Sequence, residues 1–281
     1  MKGRWLSAAF VAFSFGFGCA PAVPPVQPQV VSVAESPSEF RWQPVKWKPG
    51  MTLLYATEVF QETRSGDQVL SSTSQRQNFT MSVADRTSRG LLPLRLAAEG
   101  HVLAEIFVDD VGRARDFSLL ATQIGSDDAE AVEQLLVGFV QNPIVMRFNN
   151  TALRLNTPEQ AEFPIATLAG PFMKPVAAVS PTLRIDISYV GYRVIEGRRG
   201  VALQTSILLP GSGHRFRVRG VDDVVTVDSL LGEGTIYLHP EGLFTIHQYQ
   251  TITMRLRAKG KTVSVRQVTA LKLDGGSSKG L

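Results

Sequence analysis

Arginine, glutamine and histidine carry most of the side-chain chemistry in this sequence, and their spacing says more than their number. Arg215, Arg217 and Arg219 alternate with Phe216 and Val218. Arg255 and Arg257 repeat the pattern, with Lys259 and Lys261 close by. In an extended chain such alternation puts the guanidinium groups on one face. Strands paired in this way would line that face with groups able to meet the phosphate or carboxylate of lipid or cell wall. A solvated outer face that discourages edge aggregation explains the same pattern without a ligand. Gln248 and Gln250 interrupt an otherwise apolar alternation of Phe244, Ile246, Ile252, Met254 and Leu256. Two inward amides in a dry core need partners, at about 1–3 kcal/mol for each buried group left unpaired. A wet or ligand-filled cavity would satisfy them. A bulge near Gln248 that swaps faces and turns both outward would do so equally.

The four histidines, His101, His214, His239 and His247, have no metal-ligand spacing and no bracketing acids. Gly211-Ser212-Gly213-His214 sets a serine near a histidine, yet in a glycine-rich loop without the strand-turn-helix elbow of a serine nucleophile. The acidic pairs Asp109-Asp110 and Asp222-Asp223 lack the alternating oxygens and terminal glutamate of a calcium loop. No catalytic residue, metal or cofactor is expected, and a hydrolase is the least supported reading.

The elements that must position these groups are mostly strands. Residues 51–62, 69–84, 91–98 and 101–109 are successive β-rich runs, separated by turn chemistry at Ser65-Gly66-Asp67, Ser88-Arg89-Gly90 and Glu99-Gly100. Asp109-Asp110-Val111-Gly112 leads into 113–119. Later, Leu183, Ile185, Ile187 and Tyr189 alternate with polar residues, and Glu196-Gly197-Arg198-Arg199-Gly200 turns the chain into 201–209. His239-Pro240-Glu241-Gly242 has the residue order of a type I turn, and Lys259-Gly260-Lys261 leads to a last strand over 262–273. One helix is predicted near 127–141: Asp127 and Glu130 have capping-box spacing, and Val132, Leu135, Leu136, Phe139 and Val140 form one apolar stripe ended by Pro143. Residues 157–181 carry five prolines, so they read as a cover over an open end of the sheet or as a ligand-gating lid. A strand over 243–258 in one register would run about 50 Å, a length that suits a twisted, coiled sheet. The expected fold class is therefore mainly β: a strongly curved antiparallel sheet, half-barrel-like, with one amphipathic helix.

The N-terminus has a separate logic. Lys2 and Arg4 precede an uncharged apolar stretch over 5–17, and small residues then surround the only cysteine, Cys19. This is the order of a secretory signal peptide, too short to span a bilayer. A single cysteine permits no internal disulfide. Gly16-Phe17-Gly18-Cys19 resembles the lipobox of bacterial lipoproteins, with Gly16 where leucine is usual and Phe17 where a small residue is usual. The resemblance implies cleavage before Cys19 and a diacylglycerol on its sulfur. Ala20, where inner-membrane retention favours aspartate, implies the outer membrane, facing the periplasm. An ordinary cleaved signal peptide with an incidental cysteine is the alternative.

The expected organisation is a signal peptide over 1–18, the lipidated cysteine and a proline-rich linker over 19–40, one β-rich domain over 41–273, and a flexible tail over 274–281. Loss of Lys2 and Arg4 with the signal peptide takes the formal net charge from +4 to +2, too mild a balance for nucleic-acid binding. The layout of the domain is similar to the unclosed β-barrels of periplasmic lipoprotein carriers and mycobacterial lipid-binding lipoproteins. That resemblance implies a non-enzymatic envelope lipoprotein whose sheet holds an apolar or amphipathic ligand, with Phe244, Ile246, Gln248, Gln250, Met254 and Leu256 lining it. The partners expected are the membrane, through the N-terminal lipid, and such a ligand. A structural or assembly role, docking another envelope protein, is the competing expectation.

Overall fold

The computed structural model describes residues 22–33, 35–120, 147–148, 151–165, 173–177, 180–218 and 223–277. Within them the chain forms β1 (Val30–Ser32), β2 (Glu39–Arg41), β3 (Thr52–Ser65), β4 (Gln68–Val83), β5 (Leu92–Ala98), β6 (His101–Val108), β7 (Ala114–Leu119), β8 (Ala152–Arg154), β9 (Pro158–Pro164) and β10 (Met173–Pro175). The second half adds β11 (Thr182–Ile195), β12 (Arg198–Leu208), β13 (His214–Val218), β14 (Val224–Leu238), β15 (Thr245–Ala258) and β16 (Lys261–Ser277). The protein is mainly β, as its alternating sequence predicts. The helix expected near 127–141 lies outside the described residues.

Three of the hairpins follow directly from local chemistry. Glu99-Gly100, Glu196-Gly197 and Lys259-Gly260 each place two consecutive residues at positive φ. That is the two-residue loop whose twist matches antiparallel strands, with glycine second because it carries no Cβ penalty there. Each loop fixes the register of its hairpin, pairing Ala98 with His101, Ile195 with Arg198 and Ala258 with Lys261. The β6–β7 turn is held differently: Asp109 Oδ1 accepts from the backbone N–H of Val111 (3.0 Å) and Arg113 (2.9 Å), and Oδ2 accepts from Arg115 Nε (2.8 Å).

Successive hairpins build one antiparallel sheet in the order β1-β11-β12-β14-β15-β16-β3-β4-β5-β6-β7, with β9 beside β11, β13 beside β14 and β10 beside β13. The pairing of β16 with β3 joins the two meanders, and among the described residues β7 has no second neighbour, so the sheet is not closed. A small second sheet pairs β2 with β8.

Alternation splits the large sheet into two unlike faces. Three of the four apolar clusters sit on one face, the core face. The first joins Leu53, Tyr55, Met81, Leu94, Ile106 and Leu271; the second joins Ile185, Ile187, Tyr189, Val201 and Leu203 to Trp42, Phe148 and Phe163; the third contains Phe216, Val227, Leu230, Met254 and Val265. Each fully buried side chain of this size contributes about 1.5–3 kcal/mol by leaving water. Among the described residues the fourth cluster, Ile195, Ala202 and Tyr237, lies on the outer face, where Phe60, Val268 and Ala270 are also buried.

Three expectations about the connecting segments change. The last strand runs on to Ser277, paired with Thr52, so the tail expected from Asp274 is strand through Ser277. Within 157–181, the proline-rich stretch begins as β9, paired with β11 from Pro158–Ser188 to Pro164–Thr182. Proline is tolerated there because the strand pairs on one side only. The proline-rich 19–40 is no free spacer from Ala22 onward. Ser74 Oγ donates to the Val23 carbonyl (3.5 Å), Pro25 is buried, β1 pairs with β11, and Tyr192 N donates to Ser36 Oγ (2.8 Å). Ser74 is the cross-strand partner of Phe60, on the outer face. Residues 23–30 thus connect a contact on the outer face of β4 to the edge of β11.

Candidate functional site

The middle of the core face is polar. Its rows can be read strand by strand through the register. Gln248 lies between Ile236 and Leu271, with Leu203 and Thr57 beyond. Gln250 lies between Gly234 and Thr269, with Thr205 and Val59 beyond. Ile252 lies between Gly232 and Gln267, with Gln61 beyond, and Met254 lies between Leu230 and Val265, with Thr63 beyond. Thr57, Gln61, Thr63, Thr205, Gln248, Gln250, Gln267 and Thr269 thus form one band between the apolar clusters. Along these rows, across β12, β14, β15, β16, β3 and β4, no core-facing residue is Asp, Glu, Lys or Arg.

The band is incompletely satisfied. Gln267 Nε2 donates to Thr269 Oγ1 (3.3 Å), but Gln267 Oε1, Gln61 Oε1 and Thr63 Oγ1 are buried with no hydrogen-bond partner. Gln61 is 7 % exposed and Thr63 1 %. Gln61 and Gln267 are direct cross-strand partners, which sets their Cβ atoms about 4.5–5.5 Å apart. Thr63 follows two residues along the same face, about 7 Å from Gln61. Beside this triad, β14 presents two glycines. A Cβ on Gly234 would stand 2.8 Å from the Tyr249 carbonyl oxygen and 3.1 Å from Thr205 Oγ1; one on Gly232 would stand 3.1 Å from Ile207 Cβ. Strands approach one another here too closely for a side chain.

Of the lining residues expected from sequence, Gln248, Gln250, Met254 and Leu256 share the core face. Phe244 precedes β15 and is buried in the first apolar cluster, away from the band. Ile246 is a correction. Tyr237 pairs with His247 and Leu238 with Thr245, leaving Ile246 as the extra residue of a bulge. A Cβ on Gly200 would lie 3.3 Å from Ile246 Cδ1 and 3.7 Å from Tyr237 Cβ, so Ile246 sits beside Tyr237 on the outer face. The bulge falls two residues before Gln248 and leaves both glutamines on the core face. Gln61, Thr63 and Gln267 were not singled out by the sequence reading. Their signal was the same as that of Gln248: polar residues on a parity otherwise held by Leu53 and Tyr55 in β3, and by Val263, Val265 and Leu271 in β16.

The arginines divide differently. β14 separates β13 from β15, so Arg215, Thr226 and Arg257 form one row on the outer face, with Arg217 and Arg255 alongside. Arg257 pairs with Asp228 (2.8 Å), the extra residue of a bulge in β14, and Lys259 with Asp223 (2.8 Å). Arg215, Arg217 and Arg255 are exposed; Arg219 and Asp222 lie outside the described residues, as does Cys19.

The histidines serve local structure. His214 Nε2 lies 2.8 Å from the Pro210 carbonyl oxygen within its loop. His239 Nδ1 accepts from Gly242 N (3.1 Å) and its ring stacks on Phe244 at 4.7 Å, fixing the β14–β15 turn. His247 is buried on the outer face against Tyr237, near the Lys272–Glu196 pair (2.9 Å). Burial holds its pKa below the ordinary value; Glu196 pulls it up and Lys272 pushes it down. Gly276-Ser277-Ser278-Lys279-Gly280 spells the Gly-x-Ser-x-Gly of a serine nucleophile, but its first two residues belong to β16 and the rest lie outside the described residues. Among the described residues no helix is long and apolar enough to cross a membrane. No protein-family model and no curated protein sequence matches this chain.

Proposed function

We propose that this chain is an exported, non-enzymatic lipoprotein, tethered through Cys19, whose open sheet is a half-barrel holding an amphipathic ligand on its core face. The observation that carries the reading is the charge-free polar band, set between apolar clusters and containing buried oxygens without partners. A close-packed core has no use for such a band: each unpartnered group costs about 1–3 kcal/mol. A ligand with an apolar body and a polar end would cover the clusters and occupy the band together. The close strand approach at Gly232 and Gly234 supports a sheet that curves around this face. The signal-peptide order and the lipobox-like cysteine support export and an outer-membrane anchor facing the periplasm.

The test uses the mature chain and fluorescent fatty-acid and phospholipid probes. Saturable binding is expected, weakened at least tenfold by Ile252→Trp, which fills the half-buried centre of the face. Absence of saturable binding to any lipid class would sink the reading. It would promote docking to an envelope protein, which the exposed Arg215, Arg217 and Arg255 on the outer face favour as the second role.

A further inference from the structure

Resting on that ligand-binding reading, we infer that the polar end of the ligand is uncharged and bears several adjacent hydroxyl groups, and that Gln61, Thr63 and Gln267 receive it. The three residues lie on one face of two neighbouring strands, Gln61 opposite Gln267 and Thr63 diagonal to it, so their Cβ atoms stand about 5–8 Å apart. A patch of that size accepts several polar atoms of one head group. Hydroxyls match it because each both donates and accepts. A carboxamide presents either oxygen or NH2 after a half-turn of its end, so either glutamine can serve a hydroxyl in either sense. Thr63 Oγ1 has the same double capacity.

The charge pattern excludes the commonest alternatives. A carboxylate or phosphodiester buried here would need a cation or several directed N–H groups, and an isolated buried ion is prohibitively costly. Along the four rows that cross the band no core-facing residue is a cation; the core-facing Arg199 and Lys261 stand at the far ends of β12 and β16. The arginines that could do so, Arg215, Arg217, Arg255 and Arg257, are on the other side of the sheet. Neutral lipids with a glycerol or sugar head share the required chemistry. A single trapped water does not replace them: it makes about two to four bonds at one point and does not span the triad.

The experiment compares three ligands of equal chain length on the mature protein: a monoacylglycerol, an alkyl glucoside below its micelle concentration, and the fatty acid. Affinities are read by native mass spectrometry and by competition with the fluorescent fatty-acid probe. The two hydroxylated ligands are expected to bind at least tenfold tighter than the fatty acid, and the tighter of the two identifies the head as glycerol or sugar. Gln267→Leu is expected to bring that ratio close to one. Thr63→Val, which keeps the shape and removes only the hydroxyl, is expected to lower it several-fold, and it stands as the test if Gln267→Leu melts far below the parent. A fatty acid that binds as tightly as the hydroxylated pair, or a ratio untouched by either variant, overturns this inference and leaves the ligand-binding reading in place. If none of the three binds to the folded chain, the ligand-binding reading itself fails.

Discussion

Thr63 and His247 show how single residues report on this structure, because each is buried with an atom that has no partner. For Thr63 the hydroxyl has no partner in the fold, so Thr63→Val should raise stability by about 1 kcal/mol, read as a higher Tm. A lower Tm would mean that the hydroxyl is bonded after all. His247 makes a pH prediction. Its folded pKa is depressed by burial, so the unfolded chain takes up the proton first. Stability is then full above the ordinary value of 6.5 and falls as pH drops below it, until the folded imidazole also titrates. His239 shifts in the same direction, again through burial, with Glu241 opposing. Tm should therefore decline from pH 7 to pH 5. His247→Phe, which keeps a ring against Tyr237, should make that decline shallower; parallel curves for the two proteins would rule out His247 as a contributor.

At the level of elements, the β14–β15 and β6–β7 hairpins show what alternation and turn chemistry can specify. Gly234→Ala should cost about 1–3 kcal/mol, since its Cβ would press on the Tyr249 carbonyl and Thr205. An unchanged melt would mean that the two strands separate there without penalty. Asp109→Ala should destabilise by about 1–2 kcal/mol, because three donors of the β6–β7 turn lose their acceptor. Burial alone would raise the pKa of Asp109, but the N–H groups of Arg113 and Val111 and the Arg115 guanidinium outweigh it and hold the carboxyl below its usual range. The strands around these turns were legible because apolar and polar residues alternate between glycine-containing breaks, as in β5 and β6 around Glu99-Gly100. β9 was not legible. Its prolines deny a second ladder, and only the tertiary edge of β11 shows that one ladder suffices. The face of Ile246 was hidden for a related reason: a bulge breaks the period of two, and no composition signal marks it. Of the polar band only Gln248 and Gln250 were legible. The rest required the sheet's long-range register, above all that of β16 on β3, strands some two hundred residues apart.

Across the whole molecule, the N-terminal segment would decide how the sheet stands relative to a lipid on Cys19. Cys19 precedes Val23 by four residues, at most about 14 Å of extended chain. Val23 is already on the outer face, against Ser74. A lipid on Cys19 would therefore hold that face close to the membrane instead of suspending the domain on a long tether, and would leave the core face turned away from the bilayer. Composition suggested a spacer, because proline-rich sequence reads as extended and unpaired; extended chain is also what a sheet face or edge accepts, and β1 is paired with β11 in just that way. The consequence is testable without reference to any lipid. A chain beginning at residue 40 loses the β1–β11 pairs, the Ser36–Tyr192 hydrogen bond and the Ser74–Val23 hydrogen bond. Each hydrogen bond lost with them contributes about 0.5–1.5 kcal/mol net. A chain from residue 40 should therefore be less stable than one from residue 20 by about 2–4 kcal/mol, read from chemical denaturation of the two side by side. Equal midpoints and slopes would show that residues 22–33 are dispensable to the fold and that a lipid on Cys19 would hold the domain only by a free tether.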